Sequence, residues 1–248
     1  TVSTRSVGPG WHLLSVPATG ATADVWLALG EPGTDWSLYE LMQGKLTPSL
    51  LGSLTEPEAG RGYWVRAVRG GTLGLGVGSQ ASSESFALDL PEGWSAIGCP
   101  VGQAVAWNSG TVQVERDGAV LPLAEAVAQG WLCGTLYGYS GGHYVTVEAD
   151  AAGALLEPWA GYLVWASRAG KLLISPATEG GSLARTKARR PSAEDWRLRL
   201  VASVSGFVDA CTTIGRQAGT GAVVAPHPPA GPGVDLWVCP EDASGASP

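Results

Sequence analysis

The chain is short of several things, and each shortage excludes something. Charged side chains make up 15% of its 248 residues, against the usual quarter. No apolar run approaches the roughly 18–20 residues of a membrane-spanning helix, so no membrane span is expected. The opening TVSTRSVGPG lacks the apolar run of a secretory signal, which is compatible with one already removed by cleavage. Histidines number 3 and cysteines 4, and no CxxC, CxxCH or His-rich spacing suggests zinc or haem. No cofactor is expected. A single Met, a single Asn (Asn108) and few Lys fit either a heat-loving source that avoids thermolabile side chains or a GC-rich genome.

Positive charge is scarce where the chain is richest in pattern. Residues 1–176 carry 8 basic and 15 acidic side chains, and residues 177–248 carry 7 of each. An acidic body repels phosphate backbones, which argues against a nucleic-acid partner. The one basic run, Arg185, Lys187, Arg189 and Arg190, lies in ATEGGSLARTKARRPSAED. It reads as a solvated tether, with a binding patch or processing site as the alternative.

Glycine (36), proline (17) and tryptophan (11) are plentiful instead, and part of each belongs to a repeat. GWHLLSVP at Gly10 returns as GWSAIGCP at Gly93, an offset of 83 residues. GYWVRA (62–67) returns as GYLVWA (161–166), and TLGLGV (72–77) as KLLISP (171–176), both at an offset of 99. The second copy therefore holds 16 extra residues between shared ends. Internal duplication outweighs any single motif here.

The content of each copy alternates as strands do. Leu14 and Val16 become Ile97 and Cys99; Tyr63, Val65 and Ala67 become Tyr162, Val164 and Ala166. DVWLALG, DWSLYEL and TVQVERDG read as further strands, and TLYGYSGGHYVTVEA as a hairpin turning at Gly141-Gly142. Only PLAEAVAQGW (122–131) has helical character, stopped by Gly130. The expected fold is all-β. It has an N-terminal arm (1–9), small barrel or sandwich units at 10–78 and 90–176, a linker (177–194) and a partial β-sandwich (195–248). In the last region DWRLRLVASVSGFVDACTTIG alternates and turns at Gly206, APHPPAGPG is stiff, and GVDLWVCP is another strand.

Proximity along the chain pairs Cys99 with Cys133 and Cys211 with Cys239. Each loop of about 30 residues would contribute roughly 3.5–4 kcal/mol and would imply an oxidising compartment. The alternative is that Cys99 is a small buried apolar residue.

GWHLLSVP…GRGYWVRA and GWSAIGCP…LEPWAGYLVWA resemble the GWNLISLP-type repeats of secreted and surface-layer-associated bacterial and archaeal proteins. WRLRLVASVSGFVDACTTIG…PPAGPGVDLWV is similar to the opening of a β-sandwich module that follows such repeats. The resemblance covers residues 10–176 and 195–239. It departs from the pattern at His12 and Ser95, where Asn is usual. It implies an extracellular or cell-surface, non-catalytic protein, and it supplies no catalytic residues.

Catalytic patterns are poorly supported. GYSGG (138–142) is formally G-x-S-x-G, but a nucleophile elbow needs a helix after Ser140, and HYVTVEA reads as strand. A serine-protease triad would need a base and an orienting Asp, with only His12 ahead of Ser140 and His143 on the same hairpin. Glu40, Glu148, Asp150 and Glu157 are available for glycoside hydrolysis, which requires carboxyls roughly 5–10 Å apart.

Trp11, Trp94 and Trp159 read as framework. Trp64 and Trp165, with Arg66 beside Trp64, fall on the strand face opposite the repeated Tyr/Val/Ala set. They are core if that face is covered, and a protein interface or sugar platform if it is open. In the arm, Val2 and Thr4 share one face of TVSTRSV, which reads as a strand able to complete a neighbouring copy. The expected role is a structural subunit of a filament or surface layer, partnered by its own copies or other surface proteins. The alternative is an adhesive or carbohydrate-binding module with glycans as partners.

Overall fold

A computed structural model describes residues 4–42, 45–48, 56–75, 85–140, 142–175, 196–199, 202–204, 207–209 and 213–216. The chain divides into two compact units, Thr1–Ala188 and Arg189–Pro248. It is all-β, built from several antiparallel sheets, none of them a closed barrel.

The first repeat supplies β1 (Thr4–Val7), β2 (Gly10–Ser15), β3 (Trp36–Met42), β4 (Lys45–Pro48), β5 (Gly62–Ala67) and β6 (Gly71–Gly74). The second supplies β7 (Phe86–Leu90), β8 (Gly93–Gly98), β9 (Val105–Ala106), β10 (Val112–Arg116) and β11 (Ala119–Pro122). It continues through helix α1 (Leu123–Ala128), β12 (Thr135–Ser140), β13 (His143–Glu148), β14 (Leu155–Leu156), β15 (Gly161–Ala166) and β16 (Gly170–Ile174). One sheet runs β2-β5-β3-β4 and its counterpart β8-β15-β12-β13, strand for strand the same order. Register agrees as well: Gly10 opposes Ala67 as Gly93 opposes Ala166.

The repeated letters have local causes. Gly10 and Gly93 both take positive φ, 115° and 93°, where a side chain would be strained. Each sits where the chain leaves one sheet and enters the next. The hydroxyls of Tyr63 and Tyr162 accept the backbone N–H of Glu58 (2.9 Å) and Glu157 (3.0 Å). Burial pushes the Tyr63 hydroxyl pKa up to about 12 and raises that of Tyr162.

The expected free arm is a correction. Strand β1 pairs with β6 of its own repeat, Thr4 opposite Gly74 and Val7 opposite Gly71. This repeats the pairing of β7 with β16, where Leu90 opposes Gly170. Val7 and Leu90 are both buried, so each repeat begins one strand before its Gly-Trp motif. DVWLALG is a second correction: Ala23–Leu29 is a 3-10 helix. Its Val25, Trp26 and Leu29 spacing buries one side against the first core. In the second copy β10 pairs with β16 instead, and β9 to α1 fall between β8 and β12. Gly71 and Gly170 allow both arrangements, since a Cβ at 71 would overlap the Ala28 carbonyl and one at 170 would lie 2.7 Å from that of Glu115.

Unit Thr1–Ala188 is layered. Leu14, Trp36, Leu38, Tyr63 and Val65 face Val7, Leu73 and the 3-10 helix across one core. Ile97, Leu136, Tyr162 and Val164 face Leu88, Val114, Leu172 and Ile174 across another. Between the two repeats, the remaining faces of the long sheets meet over Leu13, Trp64 and Leu163. The expected helix at 122–131 is present as α1, with Gly130 at φ 69° after it.

In unit Arg189–Pro248, β17 (Trp196–Arg199) pairs with β20 (Thr213–Arg216), and β18 (Ala202–Val204) with β19 (Phe207–Asp209). Both pairs are antiparallel, and the expected turn at Gly206 lies outside the described residues. The expected linker and GVDLWVCP lie outside the described residues.

Candidate functional site

The seam between the repeats concentrates the chain's aromatic side chains. Along β2, β5 and β3, alternation sends Leu13, Trp64, Tyr39 and Leu41 to the face away from their own core. The other repeat answers with Leu163, Tyr137, Tyr139 and Tyr144. Trp64 is fully buried and meets Tyr139 edge-on at 4.9 Å, Tyr144 at 6.3 Å and Trp11 at 6.4 Å between ring centroids. Such edge contacts are each worth about 0.5–1.5 kcal/mol beyond the area buried.

A pseudo-two-fold axis relates the two sides. Ser15 N–H donates to the Trp159 carbonyl (3.1 Å), and Gly98 N–H donates to that of Gly60 (2.8 Å). Leu14 bridges to Ala160 as Ile97 bridges to Arg61. A Cβ at Gly62 would press on the Ile97 carbonyl and one at Gly161 on that of Leu14, both at 2.9 Å. Symmetry breaks at two places. Ser15 meets Gly98, and Trp159 (φ 67°) stands where the first repeat has Gly60 (φ 79°). The left-handed backbone costs Trp159 on the order of 1–2 kcal/mol. Its indole compensates by entering the first repeat's core, worth about 1.5–3 kcal/mol or more on burial.

The residues expected to form an interface are separated by this arrangement. Trp64 is buried in the seam; the face was covered, and the cover comes from distant strands. Arg66 is exposed beside it, opposite Trp11 in register. Trp165 is half-buried and directly opposes Trp94, whose ring lies 5.7 Å from Tyr137. Thr4 is exposed within the paired β1, and Val2 lies outside the described residues. Tyr39, Tyr137, Tyr139 and Tyr144 were not singled out from sequence. The two-residue spacing of Tyr137 and Tyr139 on β12, and of Tyr39 and Leu41 on β3, is the available signal.

No disulfide joins Cys99 to Cys133, which corrects the expected pairing. Cys99 follows Gly98, opposite the start of β15, whereas Cys133 N–H donates to Trp165 at its far end. Strand rise and spacing separate them by roughly 15 Å, twice the reach of the bond. Cys99 is buried, its thiol donates to the carbonyls of Val101 (3.3 Å) and Gln103 (3.1 Å), and burial pushes its pKa up to about 11. Cys211 and Cys239 lie outside the described residues.

The other polar candidates serve local structure. Ser140 is followed by the turn into β13 and pairs there with His143, so no helix follows the serine. His12 ring nitrogen bonds the Gly8 carbonyl (2.8 Å), and burial lowers its pKa. Glu148 accepts from Thr135 (2.7 Å), and Asp150 accepts from Ser109 N–H (2.9 Å) and Oγ (3.2 Å). Glu157 is exposed and Glu40 half-buried on β3. Asp35, buried, takes Arg69 at Oδ1 and Glu31 N–H (3.0 Å) at Oδ2. The Arg69 hydrogen bond holds its carboxyl below the usual range. Among the described residues no three His, Cys, Asp or Glu side chains group to hold a metal ion, and no helix is long and apolar enough to cross a membrane.

No protein-family model, curated protein or solved structure matches this chain.

Proposed function

We propose that the chain is a non-catalytic building block of an extracellular filament or surface layer, joined to its own copies or to other surface proteins by strand pairing. One observation carries the reading. Two of the large apolar side chains left exposed, Val120 (47%) and Val145 (40%), sit on β11 and β13. Among the described residues both are edge strands of four-stranded sheets. An edge bearing exposed β-branched residues accepts a further strand. The repeated positions support the same reading, because Gly10, Gly93, Tyr63 and Tyr162 are all spent on backbone geometry. Because β1 is engaged in its own repeat, these edges and not the arm supply the strand pairing. The extracellular setting rests on the repeat resemblance. Negative-stain imaging with light scattering tests the reading: filaments or sheets are expected, weakened by Val145→Lys. A dispersed monomer at every concentration overturns it.

A carbohydrate-binding role is the second reading, favoured by half-buried Trp165 opposite Trp94, whose ring meets Tyr137. Glycan-array binding lost on Trp165→Ala, with the fold intact, would select it.

A further inference from the structure

The docking of the two repeats is built from contacts that the pseudo-two-fold axis exchanges. Ser15 reaches Trp159 as Gly98 reaches Gly60, and Leu14 bridges Ala160 as Ile97 bridges Arg61. Each of these pairs joins one repeat to the other, and none of them involves residues 76–84 that connect the two. On the axis the pair is unlike. A Cβ at position 98 would overlap the Ser15 side chain, so one partner must be glycine. Two first repeats would bring two serines together and clash; a first and a second repeat do not.

We propose that this face also accepts the complementary repeat of a second copy, so that neighbouring chains exchange repeats in head-to-tail order. The inference rests on the self-assembly reading and supplies it with a contact. The occupant follows from the established interface. A repeat lifted from its partner exposes Trp64 on one side or Leu163 on the other, and among the described residues the matching aromatic surface is on the opposite repeat type. Trp159 of one chain would then fill the first core of its neighbour. Such a contact is heterologous and need not close, so it propagates. Residues 76–84 connect the repeats, and a short linker sets an effective concentration in the mM range. Exchange therefore belongs to crowded chains, as in an array.

Two full-length variants test this. Trp64→Asp spoils the first repeat's face and Leu163→Asp the second's, so each loses docking within the chain. An equimolar mixture still holds one good face of each type and is expected to run as a 1:1 heterodimer in size exclusion with light scattering. Leu163→Asp alone, whose intact face carries Ser15, is expected to stay monomeric. A mixture that remains two monomers, each with its β circular dichroism, overturns the proposal. Should either variant fail to fold, refolding the natural chain from denaturant replaces the mixture. Dimers and longer exchanged chains are expected near mM and not near μM concentration, and monomers alone at both overturn the proposal. Filaments of the natural chain without exchange would remove only this inference. Exchange without filaments would leave it standing and remove the surface-layer reading.

Discussion

Ser15 and Gly98 meet on the axis relating the two repeats, and the space between them holds one side chain and not two. The serine uses that space: its Oγ donates to the Ala160 carbonyl (2.9 Å), and its N–H to Trp159. At least one of these two equivalent positions must therefore be glycine.

Gly98→Ala should therefore destabilise the chain by about 1–3 kcal/mol through overpacking. For a unit of this size that is a melting point lower by roughly 2–12 °C. Adding Ser15→Gly removes the overlap, and the double variant should be more stable than Gly98→Ala alone. Thermal denaturation of the four proteins closes the cycle, and strictly additive losses would refute the shared site.

Trp64 separates two contributions. Trp64→Ala removes the centre of the aromatic seam and should cost about 3–5 kcal/mol. Trp64→Phe keeps a ring for Tyr139 and Tyr144. It also deletes an indole N–H that is buried without a hydrogen-bond partner, itself a cost of about 1–3 kcal/mol. The phenylalanine variant should lose far less than the alanine one in urea titration. Equal losses would mean that ring contact is not what the seam provides.

Asp35 gives the acid limb of stability a specific source. Its carboxyl pKa is depressed by the hydrogen bond from Arg69 and by Glu31 N–H. A depressed folded value means stability that is present above the ordinary Asp range and lost as pH falls through the lower, folded one. Melting temperature against pH should fall less steeply below about pH 4 in Asp35→Asn than in the natural chain. Parallel curves would show that the pair contributes nothing to acid sensitivity.

Cys99 should resist alkylation. With its thiol pKa raised to about 11 and the side chain buried, roughly one molecule in ten thousand carries the thiolate at neutral pH. Peptide mapping after iodoacetamide treatment should find Cys99 unmodified in the folded protein and modified once it is denatured. Rapid modification of the native chain would contradict its packing.

Much of the fold was legible because its causes are local. Gly10 and Gly93 repeat because of a backbone angle, Tyr63 and Tyr162 because each bonds a group five residues back. The alternation of Leu14/Val16 with Ile97/Cys99 marked the cores correctly. Where the pattern misled, the deciding partner was remote. DVWLALG has the composition of a strand, but β6 meets it through Gly71 with no room for a further side chain, and a 3-10 turn packs there instead. Thr4–Val7 finds its partner in β6, which lies most of a repeat away in sequence. Cys99 and Cys133 are near in sequence and stand at opposite ends of β15.

The amino-acid order alone determined that a sheet-forming segment occurs twice, that its faces alternate and where its corners fall, since those depend on one residue's backbone or on neighbours two apart. Only the tertiary structure decided that the two copies dock face to face. That docking turns Trp64 from an exposed platform into the centre of a seam and makes Ser15 and Gly98 unlike, because covering a face and sharing an axis are properties of two segments brought together across the length of the chain.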